Sequence, residues 1–160
     1  LTIATNYVVR GKVPAPWNLQ MDGSISARAI DMSAQEDARQ FTWNADGAFV
    51  VNVPAVDFTK QLNEGWSLLI DWRIDQPATG PVTLTFGGAA VEMQQLMRAL
   101  PTGTASQTRI SLRCFADAGA KFDAVGSPIR MQSAKGLVAT IRNVHIENIK
   151  ESAPCPGKAR

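Results

Sequence analysis

The stretch Trp66-Ser67-Leu68-Leu69-Ile70-Asp71-Trp72-Arg73-Ile74-Asp75 decides how this chain is read. Trp66, Leu68, Ile70, Trp72 and Ile74 fall on one face of an extended backbone, while Ser67, Asp71, Arg73 and Asp75 fall on the other with Leu69. Strand side chains alternate with a period of two, so a half-buried strand is expected here, with Trp66 and Trp72 in the core. Residues 82–86 repeat the pattern, with Val82, Leu84 and Phe86 inward and Thr83 and Thr85 outward. Across the loop at 76–81 the two runs are expected to form a hairpin.

Outward from this pair, short strands are expected at 17–21, 25–32, 39–43 and 48–53, with Asp22-Gly23 and Asp46-Gly47 read as turns. Phe41 and Trp43 share parity, which puts both inside. Residues 54–65 have no clean period and read as a loop with one helical turn. Within 91–100, Met93, Leu96, Met97 and Leu100 recur at helical spacing, and Pro101 and Gly103 end the helix. Strand returns at 109–115, a further helical turn is expected in 116–125, and strands at 128–132 and 137–149 flank a turn at 133–136. Without βα alternation or internal repeats, the expected fold is all-β. It is an antiparallel β-sandwich of jelly-roll type with one or two short helical insertions. Residues 1–16 read as a linker or lead-in with room for one short strand, 17–150 as the sandwich domain and 151–160 as a flexible tail. A start at Leu1 rather than Met is expected of a processed chain or a fragment of a longer one.

A chain of 160 residues, 45% hydrophobic and 19% charged, suits one ordinary globular domain with a sizeable core. A net charge of +2 with scattered basic residues argues against nucleic acid as a partner. No apolar run reaches the ~18 residues of a membrane span, so no membrane insertion is expected. Cys114 shares strand parity with Ile110 and Leu112 and is expected in the core as a small hydrophobe. Cys155 lies in a Pro- and Gly-rich tail, and a bridge between the two requires that tail to fold back.

The residues that chemistry needs are sparse. His145 is the only histidine, which leaves no nucleophilic triad and no spaced zinc-ligand set. Gly87-Gly88 lacks both phosphate-loop patterns. Fourteen acidic residues offer many accidental carboxylate pairs, and the sequence selects none for glycoside hydrolysis. Binding residues are easier to nominate. Gln35, Glu36, Asp37 and Arg39 form the densest polar cluster; they are either a solvated loop or an edge that contacts sugar or holds structural calcium. Asp71, Arg73, Arg113, Arg130 and Gln132, with Arg142, are expected on outward strand positions, either facing water or lining a polar binding surface. Trp17 is the freest of the tryptophans and the best platform for stacking on a sugar ring. No other cofactor is expected.

Four stretches taken in order resemble a known family. They are Gln35-Glu36-Asp37-Ala38-Arg39 before the aromatic strand ending in Trp43, Ile110-Ser111-Leu112-Arg113-Cys114-Phe115 with Ala118-Gly119 behind it, Ser127-Pro128-Ile129-Arg130-Met131, and Ile141-Arg142-Asn143-Val144-His145-Ile146. Over roughly residues 15–149 the chain resembles the galactose-binding-like C-terminal domain of bacterial glycoside hydrolase family 3 exo-glucosidases. The resemblance implies a jelly-roll accessory domain of a β-glucan-degrading enzyme that is periplasmic or secreted. The catalytic domains of such an enzyme are absent from this sequence, so no catalytic residue carries over. The leading expectation is a noncatalytic module that binds β-glucan or its oligosaccharides weakly, or packs on the parent's catalytic domains to shape the substrate entrance. The alternatives are a structural docking or dimerisation domain without sugar affinity, and a small free-standing carboxylate-based hydrolase.

Overall fold

The structure is a computed structural model that describes residues 5–15, 17–126, 128–149 and 154–157. Residues 1–4, Pro16, Ser127, 150–153 and 158–160 lie outside the described residues. The elements run β1 (Asn6–Val8), β2 (Asn18–Ile30), β3 (Ala38–Asn52), α1 (Thr59–Asn63), β4 (Ser67–Gln76), β5 (Val82–Phe86), β6 (Ala89–Glu92), α2 (Gln94–Ala99), β7 (Ala105–Ser111), α3 (Leu112–Asp117), β8 (Ile129–Ser133) and β9 (Val138–Glu147). The strands lie in the order β6-β5-β8-β3-β9-β4-β7, with β2 along the free side of β3 and β1 beside the end of β9. Every pairing between named strands is antiparallel. No described helix is long and apolar enough to cross a membrane.

The path closes into a sandwich because β3 serves two sheets. Its residues 39–42 pair with β9, whereas residues 47–51 pair with β8. Between them the chain turns a corner, and β2 turns with it through a register shift between Gly23 and Ile25. Gly23 takes φ +79°, and a Cβ there would lie 2.4 Å from the Asp46 carbonyl oxygen. A Cβ on Gly47 would lie 2.9 Å from the Asp22 oxygen. Asp22-Gly23 and Asp46-Gly47 are therefore not turns between short strands. They face each other as the bulged corner of two long strands, where glycine permits close backbone approach.

Inward residues from both sheets form one core. Trp43 and Trp72 are fully buried, and their indole N–H groups donate to Gly47 O at 2.8 Å and Thr108 Oγ1 at 2.9 Å. Such partners remove the desolvation cost of the ring nitrogens. Phe86 meets Tyr7, Phe58, Phe115 and Phe122 with ring centroids 5.6–6.5 Å apart. Trp66 is only partly buried and donates to Glu64 Oε1 at 3.2 Å.

Other sequence expectations need correction. The β4–β5 hairpin does not form: β4 pairs with β9 and β7, and β5 pairs with β6 and β8. Alternation assigns faces and says nothing of partners, and these two strands meet across the core. Residues 112–115 are helical rather than extended, because Ser111 Oγ accepts from Arg113 N at 3.2 Å and starts α3. Val91 belongs to β6, with α2 beginning at Gln94. The short strand allowed for in residues 1–16 is β1, whose Tyr7 is fully buried. Cys155, in the described segment 154–157, is disulfide-bonded to Cys114 with the Cα atoms 5.5 Å apart.

Candidate functional site

Outward residues divide between two opposed faces. On the first, β4 supplies Asp71, Arg73 and Asp75, β9 supplies Thr140, Arg142 and Asn143, and β3 supplies Gln40. Asp71 Oδ2 accepts from Arg142 Nε at 2.7 Å and from Asn143 Nδ2 at 3.2 Å. Asp75 accepts from Arg73 Nε at 2.6 Å, from Gln40 Nε2 at 3.1 Å and from the Thr140 hydroxyl. Gln40 Oε1 in turn accepts from Arg28 Nε at 3.2 Å. Burial pushes the Asp75 carboxyl up, but hydrogen bonds from Thr140, Gln40 and Arg73 outweigh it and hold the group below the ordinary range. The Arg142 guanidinium is raised, chiefly by its hydrogen bond to Asp71.

The polar loop before β3 belongs to this face through one residue. Asp37 accepts from the N–H groups of Met32 at 2.7 Å, Ser33 at 3.1 Å and Ala34 at 3.1 Å. Those donors, Met32 first, hold its carboxyl below the ordinary range. Arg142 Nη1 donates to Ser33 Oγ at 2.8 Å and lies 3.8 Å from Asp37 Oδ2, which ties the loop to β9. Gln35 and Glu36 are exposed at the loop tip. Arg39 shares parity with Phe41 and Trp43 and does not join the network. Among the described residues no three His, Cys, Asp or Glu side chains converge to hold a metal. The first face is closed on itself. It acts as a clasp.

These depressed carboxyls make stability depend on pH. A carboxylate with a folded pKa below its unfolded value of ~3.9 stabilises the fold above that pH and loses the contribution as pH falls through the folded value. Urea midpoints are therefore expected to hold from pH 6 to about 4 and then fall steeply as Asp22, Asp37 and Asp75 protonate. Asp37→Asn should flatten that acid limb. A wild-type midpoint that stays level down to pH 3 would remove the clasp from the account.

The opposite face carries a cleft. By register, Gln20, Val50, Arg130 and Thr85 form one row across β2, β3, β8 and β5, and Asp22, Ala48, Gln132 and Thr83 form the next. Arg130 Nη1 reaches Asp22 Oδ2 at 2.9 Å, over the small residues of β3. Gln20 Nε2 donates to Asp22 Oδ1 at 2.7 Å, and Asn52 Nδ2 contacts Gln20 Oε1 at 3.0 Å and Asn18 Oδ1 at 3.2 Å. This ridge of amides and charges borders a cleft of about 460 Å³, floored by Val50 and the Gly87-Gly88 turn and walled by Lys121, Asp123 and Val125. The Arg130 and Asp22 side chains are 37% and 40% exposed, against 29% and 11% for Arg142 and Asp71. The second face therefore keeps hydrogen-bonding capacity that the first has spent. Lys121 and Asp123 balance, as do Arg130 and Asp22, so the cleft suits an uncharged hydroxylated ligand better than a phosphate.

The single surface expected from the sequence is thus split. Asp71, Arg73 and Asp37 lie on the clasp, Arg130 and Gln132 lie on the cleft face, and Arg113 lies on α3, off both sheets. Trp17 is half-buried against the core, and among the described residues the only exposed large hydrophobics are Val9 and Met21. Among the described aromatic residues only Trp17 and Trp66 keep partial exposure. Sequence reasoning missed Asn18, Gln20, Asp22, Asn52 and Lys121; alternation with Leu19 and Met21 was the signal that pointed the first of these outward.

Fold and cleft together define a jelly-roll β-sandwich of the galactose-binding-like class. The chain belongs to the Exop_C family, galactose-binding domain-like, whose model matches residues 9–146. It is similar to the extra C-terminal domain (X) of the exo-1,3/1,4-beta-glucanase ExoP from a Pseudoalteromonas species, with 18% identity and a TM-score of 0.70 over 95% of this chain and 96% of that one. Against the longer ExoP structure, 98% of this chain aligns with a TM-score of 0.72 and 18% identity, spanning 22% of that chain. A family 11 carbohydrate-binding module from Clostridium thermocellum, in complex with a beta-1,3-1,4-mixed-linked tetrasaccharide, aligns with 94% of this chain and 100% of its own, at 10% identity and a TM-score of 0.58. Identities this low show a shared fold. No curated protein sequence matches the chain.

Proposed function

We propose that this domain is a noncatalytic accessory module of a family 3 glycoside hydrolase, a β-glucosidase or exo-glucanase, and that it contacts neutral β-glucan through the cleft beside Arg130. The observation that carries the reading is the open, charge-balanced cleft on one face of a sandwich whose other polar face is internally satisfied. Family membership supports it, as does the ExoP domain of the same fold. Of the two carboxylates at the cleft, Asp22 is taken up by Arg130 and Gln20, which leaves Asp123 alone where glycoside hydrolysis requires a pair, and this favours a binding role over a catalytic one. The described cleft lining holds no aromatic ring, so contact there rests on hydrogen bonds, affinity is weak, and the site works beside the parent's catalytic domains, holding or guiding chains at the substrate entrance. The Cys114–Cys155 bridge supports a periplasmic or secreted parent, since such bonds persist in oxidising compartments.

Titration calorimetry with mixed-linkage β-glucan and short gluco-oligosaccharides tests this. Saturable millimolar-range binding is expected, weakened roughly tenfold or more in Arg130→Ala by loss of one charge-assisted hydrogen bond. Arg73→Ala, on the opposite face, should leave it unchanged. No heat at high millimolar sugar would reject recognition and leave a docking domain.

A further inference from the structure

The segment at 154–157 occupies a definite place. Cys155 packs against the core and is bonded to Cys114 of α3, 41 residues earlier. Pro154, Pro156 and Gly157 face Leu96 and Leu100 across a cavity of about 410 Å³ beside α2. A Cβ on Gly157 would stand 3.0 Å from Glu92 Cβ and 3.1 Å from Glu92 O, so the segment lies directly on the edge strand β6. Glu92 is a junction: its Oε1 accepts from Gln94 N at 2.6 Å, at the start of α2, and from Val82 N at 3.4 Å. The elements beneath the segment hold themselves poorly. Helix α2 has six residues, and its N-cap residue Met93 makes no side-chain hydrogen bond, so the first N–H depends on Glu92 beneath the segment; β6 has four residues at the end of the sheet order. Short helices and short edges gain most of their stability from what packs on them.

We propose that residues 154–157 form a disulfide-held strap that keeps β6 and α2 in place, and that a dithiol reductant releases it. Cys114 is buried and Cys155 is only partly so, which directs the attacking thiolate to the Cys155 sulfur. The S–S bond breaks with Cys114 leaving as thiolate. The reductant's second thiol then displaces Cys155 from the mixed disulfide, so two cysteine thiols form and the dithiol is oxidised to a disulfide. The strap is independent of any ligand in the cleft.

Hydrogen exchange of the full chain tests it in three states: oxidised, dithiol-reduced, and Gly157→Val with the bridge intact. The valine must adopt φ +77° and press on Glu92, which lifts the strap without touching sulfur. Reduction and Gly157→Val are each expected to speed exchange tenfold or more at Ala89–Glu92 and Gln94–Ala99, leaving β3, β4 and β9 at their oxidised rates. Unchanged exchange on reduction overturns the strap. So does acceleration on reduction alone, which assigns the effect to Cys114 in the core, and so does acceleration throughout the domain, which is global unfolding.

Discussion

Asp71→Ala is expected to lower stability by about 2–3 kcal/mol, roughly 5–10 °C in Tm for a domain of this size. The carboxylate is buried and receives both Arg142 Nε and Asn143 Nδ2. Removing it leaves a guanidinium facing an empty partner position and loosens the hold of Arg142 on Ser33 and Asp37. Breaking a fully buried pair costs about 3–5 kcal/mol, but Arg142 keeps 29% exposure, and water screens part of the loss. Asp71→Ala/Arg142→Met should recover most of the deficit, because the stranded charge goes with its partner. Urea unfolding of the single and double variants decides the matter. If Asp71→Ala stays within about 0.5 kcal/mol of wild type, as surface substitutions do, these residues are solvated decoration and the clasp does not exist.

That the same residues were first candidates for binding shows what a sequence can carry. Alternation in β4 reads correctly as strand, and it places Asp71 and Arg73 outward. Parity gives a direction only. Whether an outward carboxylate is spent on Arg142 or left to a ligand depends on β9, which lies more than sixty residues away. The cleft is distributed in the same way. Gln20 and Asp22 come from β2, Arg130 from β8 and Lys121 from a loop, and no local pattern links them. Residues 112–115 misread because Ile110, Leu112 and Cys114 keep strand spacing while Leu112 and Phe115 also fit a helical turn; the Ser111 cap decided it. The four motifs carried the family, because each is a local string that survives without knowledge of its neighbours in space.

The corner between the sheets is the feature that local reading lost, and it is where one methyl group should do most damage. Gly23→Ala is expected to cost about 3–4 kcal/mol. A left-handed backbone costs an L-residue roughly 1–2 kcal/mol, and forcing a group into a packed site adds about 1–3 more. The new Cβ would sit 2.4 Å from the Asp46 carbonyl oxygen, and relief requires β2 and β3 to part where they pass between sheets. Gly88→Ala is the control. Gly88 also has positive φ, at +86°, but nothing lies within 4 Å of its Cβ position, so only the conformational cost of about 1–2 kcal/mol applies. The difference between the two substitutions in urea unfolding isolates the steric part of the corner. The consequence reaches the cleft, because Asp22 precedes Gly23 and holds Arg130. If the cleft takes glucan as proposed, Gly23→Ala should, at temperatures where it remains folded, bind it about as weakly as Arg130→Ala. Equal costs for the two alanines would mean that the corner yields freely, and that β3 joins the sheets by sequence length alone.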